Sequence, residues 1–115
     1  MAITEAYAGS ASISTTEYSL PNNSTTLANI TDDGIYQVFL DLNALTVTEE
    51  YLLRVYEKVQ SSGTKRVVFS ATFVGAQAQP VWVSPALILL HGWDMTMDKV
   101  AGTDRTIEWS IRKVA

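Results

Sequence analysis

Few residues in this sequence have both the type and the spacing that chemistry needs. His91 is the sole histidine and cysteine is absent, which excludes thiolate sites, cysteine nucleophiles and multi-histidine centres. His91-Gly-Trp-Asp94 offers one nitrogen and one oxygen ligand, too few and too mixed to define a metal centre. Beside an apolar run, His91 reads as a hydrogen-bonded residue at a strand end. Two carboxylate pairs remain, Asp32-Asp33 and Glu49-Glu50. Such pairs hydrolyse glycosides when one acid is desolvated and the two flank a groove. Both fall in predicted turns or strand starts, where solvated acids are ordinary. Asp32-Asp-Gly34 also lacks the alternating oxygen ligands of a calcium loop. The six glycines are dispersed, with no Gly-x-Gly-x-x-Gly phosphate cradle. The reading is of a chain with no catalytic, cofactor-binding or metal-binding residues, and so not an enzyme.

Trp82, Trp93 and Trp109 could together suggest a sugar-stacking platform. Trp93 and Trp109, however, fall on apolar faces of predicted strands and are assigned to the core. Trp82 lies between Val81 and Val83 and is expected to face outward, as an interface anchor or a ligand contact.

The elements that must position these side chains read as β throughout. Ile35–Leu42 sets Tyr36, Val38, Leu40 and Leu42 on one face against Gln37 and Asp41. Arg66–Val74, Trp93–Val100 and Thr106–Val114 alternate in the same way, and Ala101-Gly-Thr-Asp104 is read as a hairpin loop joining the last two. Residues 46–59 are ambiguous. Leu52, Val55, Tyr56 and Val59 have helical spacing, with Thr46-Val-Thr-Glu49 as a capping box, but the dense β-branched and aromatic residues favour a strand with its turn at Ser61-Ser-Gly63. Val81–Val83, bracketed by Pro80 and Pro85, belongs at an edge or a bend. Ala86–Leu90 runs without alternation and is expected to be buried on both sides. Residues 1–34 are rich in Ser, Thr, Ala and Asn and are read as an extended arm with a weak strand near Ser12–Leu20. Residues 35–115 then form an antiparallel β-sandwich, jelly-roll-like in topology.

A length of 115 residues suits one domain, and 47% hydrophobic against 17% charged residues suits a folded core. The longest apolar stretch, Pro85–Leu90, is far short of a membrane-spanning helix. With no secretory pattern at the N-terminus, synthesis in a cytoplasm is expected. Charge is segregated along the chain. Residues 1–53 hold seven acids and no base, and residues 54–115 hold eight bases and five acids. Scattered bases on an acidic chain argue against nucleic acid. The asymmetry is either chance or a device for aligning neighbouring subunits.

Three stretches, Asp33-Gly-Ile-Tyr-Gln-Val-Phe-Leu-Asp-Leu42, Arg54-Val-Tyr-Glu-Lys58 and the segment from His91 to Val114, resemble small virion proteins of tailed bacteriophages. The resemblance implies a capsid decoration (cement) role first, with a head–tail or tail component as the alternative. It implies the major capsid protein as partner, a dimeric or trimeric state, and residence on the virion surface. A carbohydrate-binding sandwich used in host adhesion is the competing reading. Interface residues expected for assembly are Ile3, Tyr7 and Ile13 in the arm, Trp82, and Leu87, Ile88 and Leu89 in the apolar run, whereas glycan binding would require an exposed aromatic cluster at Trp82.

Overall fold

The computed structural model describes residues 2–114, and all regular elements among them are strands. They are β1 (Ile3–Ile13), β2 (Tyr18–Ser19), β3 (Gly34–Asp41), β4 (Glu50–Glu57), β5 (Arg66–Val74), β6 (Val81–Val83), β7 (Leu87–Leu89), β8 (Asp94–Ala101) and β9 (Arg105–Val114). One sheet has the order β1-β9-β3-β6, with β7 also on β3, and the other has the order β2-β8-β4-β5. All pairs are antiparallel. The connectivity is nested: β1 pairs with β9, β2 with β8, β3 with β6 and β7, and β4 with β5. This is a jelly roll, as the strand count and spacing imply.

The core is the interdigitated inner faces. Tyr36, Val38 and Leu40 of β3, with Ile107, Trp109 and Ile111 of β9, meet Tyr51, Leu53 and Val55 of β4 and Met95 and Met97 of β8. The 46–59 ambiguity resolves as strand β4. One of the two contacts of a capping box exists nevertheless, the Thr46 N–H donating to Glu49 Oε1 at 2.7 Å, while the Glu49 N–H donates to the Thr46 carbonyl at 3.2 Å. They close a turn and no helix follows, because Tyr51, Leu53 and Val55 bury a period-two face.

Four sequence expectations are corrected. First, the N-terminal segment is no arm, and the division at residue 34 does not separate two units. β1 pairs along nearly all of β9, with Tyr7, Ala11 and Ile13 on the core side. Its weak apolar pattern has a packing cause, since a Cβ on Gly9 would lie 2.8 Å from Trp109 Cζ2. Backbone pairing, invisible to hydropathy, supplies the rest. Of the predicted strand near Ser12–Leu20, only Tyr18–Ser19 is a separate element. Met1 and Ala115 lie outside the described residues.

Second, Ala101–Asp104 is not a hairpin loop. β8 and β9 belong to different sheets, and the loop is a corner between them, turned at Gly102 (φ +88°), where a Cβ would meet Thr48 O at 2.5 Å. Third, Ala86–Leu90 is not buried on both sides: Leu89 is buried while Ile88 and Leu90 are exposed. It is an edge piece, separated from β6 by Pro85. At the break Ser84 Oγ accepts the Val38 N–H at 3.0 Å, which keeps β3 satisfied where the proline interrupts the edge. Fourth, Trp82 does not face outward. It lies opposite Leu40 on the inner side and packs on Phe69 and Phe73 of β5, with centroids 6.3 and 5.1 Å away.

Candidate functional site

Of the titratable groups singled out by type, Asp32, Glu49 and Asp94 are engaged in holding the fold. Asp32 caps one end of the molecule. Its Oδ1 accepts from Lys113 Nζ at 2.8 Å, its Oδ2 from Tyr36 Oη at 2.9 Å, and its carbonyl from Trp93 Nε1 at 2.9 Å. The Lys113 and Tyr36 hydrogen bonds hold its carboxyl below the usual range, against a smaller opposing effect of burial. Glu49 is enclosed by Thr48, Thr46 and the Arg105 guanidinium, whose Nε donates to Oε1 at 2.9 Å. The Thr48 hydroxyl and Arg105 together depress its pKa.

Asp94 is buried, with no ion pair among the described residues. Its Oδ1 accepts from Ser19 Oγ at 2.8 Å and Met95 N–H at 2.9 Å, and its Oδ2 from Ala28 N–H at 2.9 Å. Burial pushes its pKa up despite these bonds. The side chain pins the 19–28 loop over β8 and is not available to pair with His91. His91 sits at the rim of a depression of about 240 Å³ shared with Asn29, Thr31 and Lys58. Its main chain joins Glu57 and Lys58, the N–H donating to Glu57 Oε2 at 3.0 Å. No group of three or more His, Asp or Glu side chains able to hold a metal ion occurs among the described residues.

A last polar cluster lies on the outer side of the β4–β8 pair. Arg54 reaches Asp98 at 3.0 Å and Glu17 at 3.5 Å, and Glu17 also accepts from Tyr56 Oη at 2.6 Å and from Thr96 Oγ1. Burial works to raise the Glu17 pKa, but the Thr96 and Tyr56 hydrogen bonds and the Arg54 charge outweigh it, so its carboxyl titrates low. These partners point at one another.

The surfaces are more distinctive, above all the outer face of the β1-β9-β3 sheet. Cross-strand register sets Ile3 opposite Val114, Val114 opposite Ile35, and Ile35 opposite Ile88. Directly opposed antiparallel residues share a face. Four aliphatic side chains therefore form one row across four strands, about 14 Å from end to end. Ile3 is 67% exposed and Ile88 80%. Towards the other end, the same face dips into an open depression of about 550 Å³ whose lining includes Phe39, Arg112, Glu5, Glu108 and Asp41. The Arg112 guanidinium covers the Phe39 ring at 3.8 Å.

Of the seven contact residues expected from sequence, Ile3 and Ile88 share this row. Tyr7 packs edge-on to Trp93 at 5.9 Å. Ile13 and Leu89 are core residues, and Leu87 and Trp82 are half-buried against the core. The row members that sequence reasoning missed are Ile35 and Val114. Ile35 had a legible signal: with Tyr36, Val38 and Leu40 inward, Ile35 must share the wet face with Gln37 and Asp41.

No protein-family model and no curated protein sequence matches the chain. Solved structures do. The Eiger TNF of S. frugiperda aligns over 97% of this chain and 88% of its own, with a TM-score of 0.50 at 12% identity. A xylan-binding domain from CBM 22 aligns over 86% of this chain and 64% of its own (TM-score 0.43, 16% identity). A pentameric capsid protein from metagenomic phage sequences aligns over 97% and 70% (TM-score 0.38, 9% identity). At 12% identity the first likeness speaks to the all-β fold alone, and the two weaker alignments carry no argument.

Proposed function

We propose that this chain is a non-catalytic structural protein of a phage particle, seated on the outer surface of the capsid and reinforcing the shell. The observation that carries the reading is the apolar row Ile3–Val114–Ile35–Ile88, which crosses four strands with Ile3, Ile35 and Ile88 open to water and Val114 half-buried between them. An ordered apolar row gains free energy only when another surface covers it. The sequence resemblance to small virion proteins implies the major capsid protein as the covering surface. Docking a rigid, preformed sandwich costs little ordering entropy, so even a small contact repeated over a lattice adds usefully to shell stability.

Purified particles should then hold the chain in near-stoichiometric ratio to the major capsid protein. Ile35→Asp/Ile88→Asp should fold normally and be recovered in the unbound fraction after incubation with stripped particles. Particles carrying only a handful of copies would instead favour a head–tail or tail component.

A second reading, adhesion through glycan binding, moves with the structure from Trp82 to the depression around Phe39. There an aromatic ring, Arg112 and the Ser10 and Ser110 hydroxyls share one open face. Its test is glycan-array binding that Phe39→Ala abolishes. Binding left unchanged by that substitution removes this version.

A further inference from the structure

β5 presents a regular sheet edge left without protection. β2 has two residues, and β6 and β7 have three each with prolines beside them, short edges blunted in familiar ways. β1 also has an uncharged edge run, Tyr7–Ile13, beyond the register shift at Glu5, but a two-fold axis at its centre would oppose Gly9 to Ala11 and Ala8 to Ser12, small residues that add little across a strand pair. β5 pairs with β4 alone. Beyond a bulge at Val68, its run Phe69–Val74 has no charge, no proline and no further shift in register. Unpaired backbone groups along such an edge select an extended strand as partner.

The sequence of the run says which strand. An antiparallel copy related by a two-fold axis at Ala71 would set Ala71 against Ala71, Phe69 against Phe73 and Ser70 against Thr72. Opposed residues share a face, so two aromatic pairs would line the inner side and hydroxyl pairs the outer side, both favourable cross-strand combinations. Half-buried Trp82, already packed on Phe69 and Phe73, would gain cover where the two sheet edges meet. Charge agrees with the antiparallel sense. The start of β5 has Lys65 and Arg66 with only Glu57 opposite, whereas its end has Glu50 opposite Val74. A two-fold axis brings the basic start of each copy to the acidic end of the other.

We propose that two copies of this chain pair through β5 about an axis at Ala71, joining their β2-β8-β4-β5 sheets into one continuous sheet. The pairing does not depend on the capsid reading, because the apolar row lies on the other sheet. Shell binding lost in Ile35→Asp/Ile88→Asp with the dimer intact would separate the two.

Light scattering on the size-fractionated chain should give a dimer mass. Ser70→Lys/Thr72→Lys, at two exposed positions, sets like charges opposite one another twice. It should raise the dimer dissociation constant by about 100-fold or more with the circular dichroism spectrum unchanged. Ser70→Glu/Thr72→Lys makes the same positions complementary and should restore the dimer to within about 10-fold of the original constant. Because the chain has no cysteine, Ala71→Cys offers a second readout that tolerates failure of the lysine variant to fold: mild oxidation should give a covalent dimer. A monomer at all attainable concentrations overturns the proposal. So does a dimer indifferent to the two lysines, or an Ala71→Cys chain that never cross-links.

Discussion

At the scale of single residues, the molecule is held by small groups in places where size or valence leaves no choice. Gly9 faces the Trp109 indole across the β1–β9 ladder, with the Asn23 amide nitrogen 3.2 Å from where a Cβ would sit. Tyr18 packs edge-on to the same indole, so the ring cannot slide away. Gly9→Ala should destabilise the fold by about 1–3 kcal/mol through overpacking, read as a lower denaturant midpoint at constant slope. A shift below about 0.5 kcal/mol, the scale of an ordinary surface change, would mean that the ring has room. Asp94 is the complementary case. Three donors converge on it, and an amide in its place would turn an N–H₂ towards one of them, the Ala28 N–H in the arrangement that spares the other two. Asp94→Asn should therefore cost about 1–3 kcal/mol, with amide exchange faster across residues 19–28 first.

At the scale of elements, how much the sequence revealed depended on whether an element was defined by side chains or by backbone. β3, β4 and β9 were legible because Tyr36-Val38-Leu40, Tyr51-Leu53-Val55 and Ile107-Trp109-Ile111 each bury a period-two face. Trp93 and Trp109 were legible as core for the same reason. β1 was not, because its inward positions include Gly9 and Ala11, small so that Trp109 and the facing sheet can approach. Its membership rests on a ladder to β9 that hydropathy does not register. The Ala101–Asp104 corner was misread because a short loop with glycine fits a hairpin and a sheet-to-sheet turn equally well, and only the partners of β8 and β9 decide between them. Of the candidate surface, Ile3 and Ile88 were anticipated, but the row they form was not, since register brings Val114 and Ile35 between them. β1 offers the element-scale prediction. Deleting residues 1–13 should abolish cooperative unfolding, because it bares one edge of β9 and removes the cover that Tyr7 gives Trp93. An N-terminal arm would come off with the melting curve unchanged.

At the scale of the whole molecule, the nested topology explains the segregation of charge along the chain. A jelly roll folds its first half against its second, so acids of residues 1–53 meet bases of residues 54–115 within one chain: Glu17 with Arg54, Asp32 with Lys113 and Glu49 with Arg105. The consequence is a defined response to acid. Glu17, Asp32 and Glu49 titrate lower in the fold than in the unfolded chain, so the unfolded state binds more protons as pH falls below the ordinary carboxylate range, about 4. Their contributions are present above that range and are lost progressively below it. Asp94 and Asp98 are raised, chiefly by burial, and have the opposite sign: their contributions are present at low pH and fade as pH rises through their folded values. Two variants separate these effects. The stability gap between the original chain and Glu49→Gln should be widest at neutral pH and close as pH falls below about 4. The gap to Asp94→Asn should instead widen as pH falls, since the protonated acid is the form the buried site prefers. Denaturant midpoints measured for the three proteins from neutral pH to about pH 3 check both trends. Parallel curves would show that neither carboxyl is linked to folding, and two gaps closing together would show that burial does not govern Asp94.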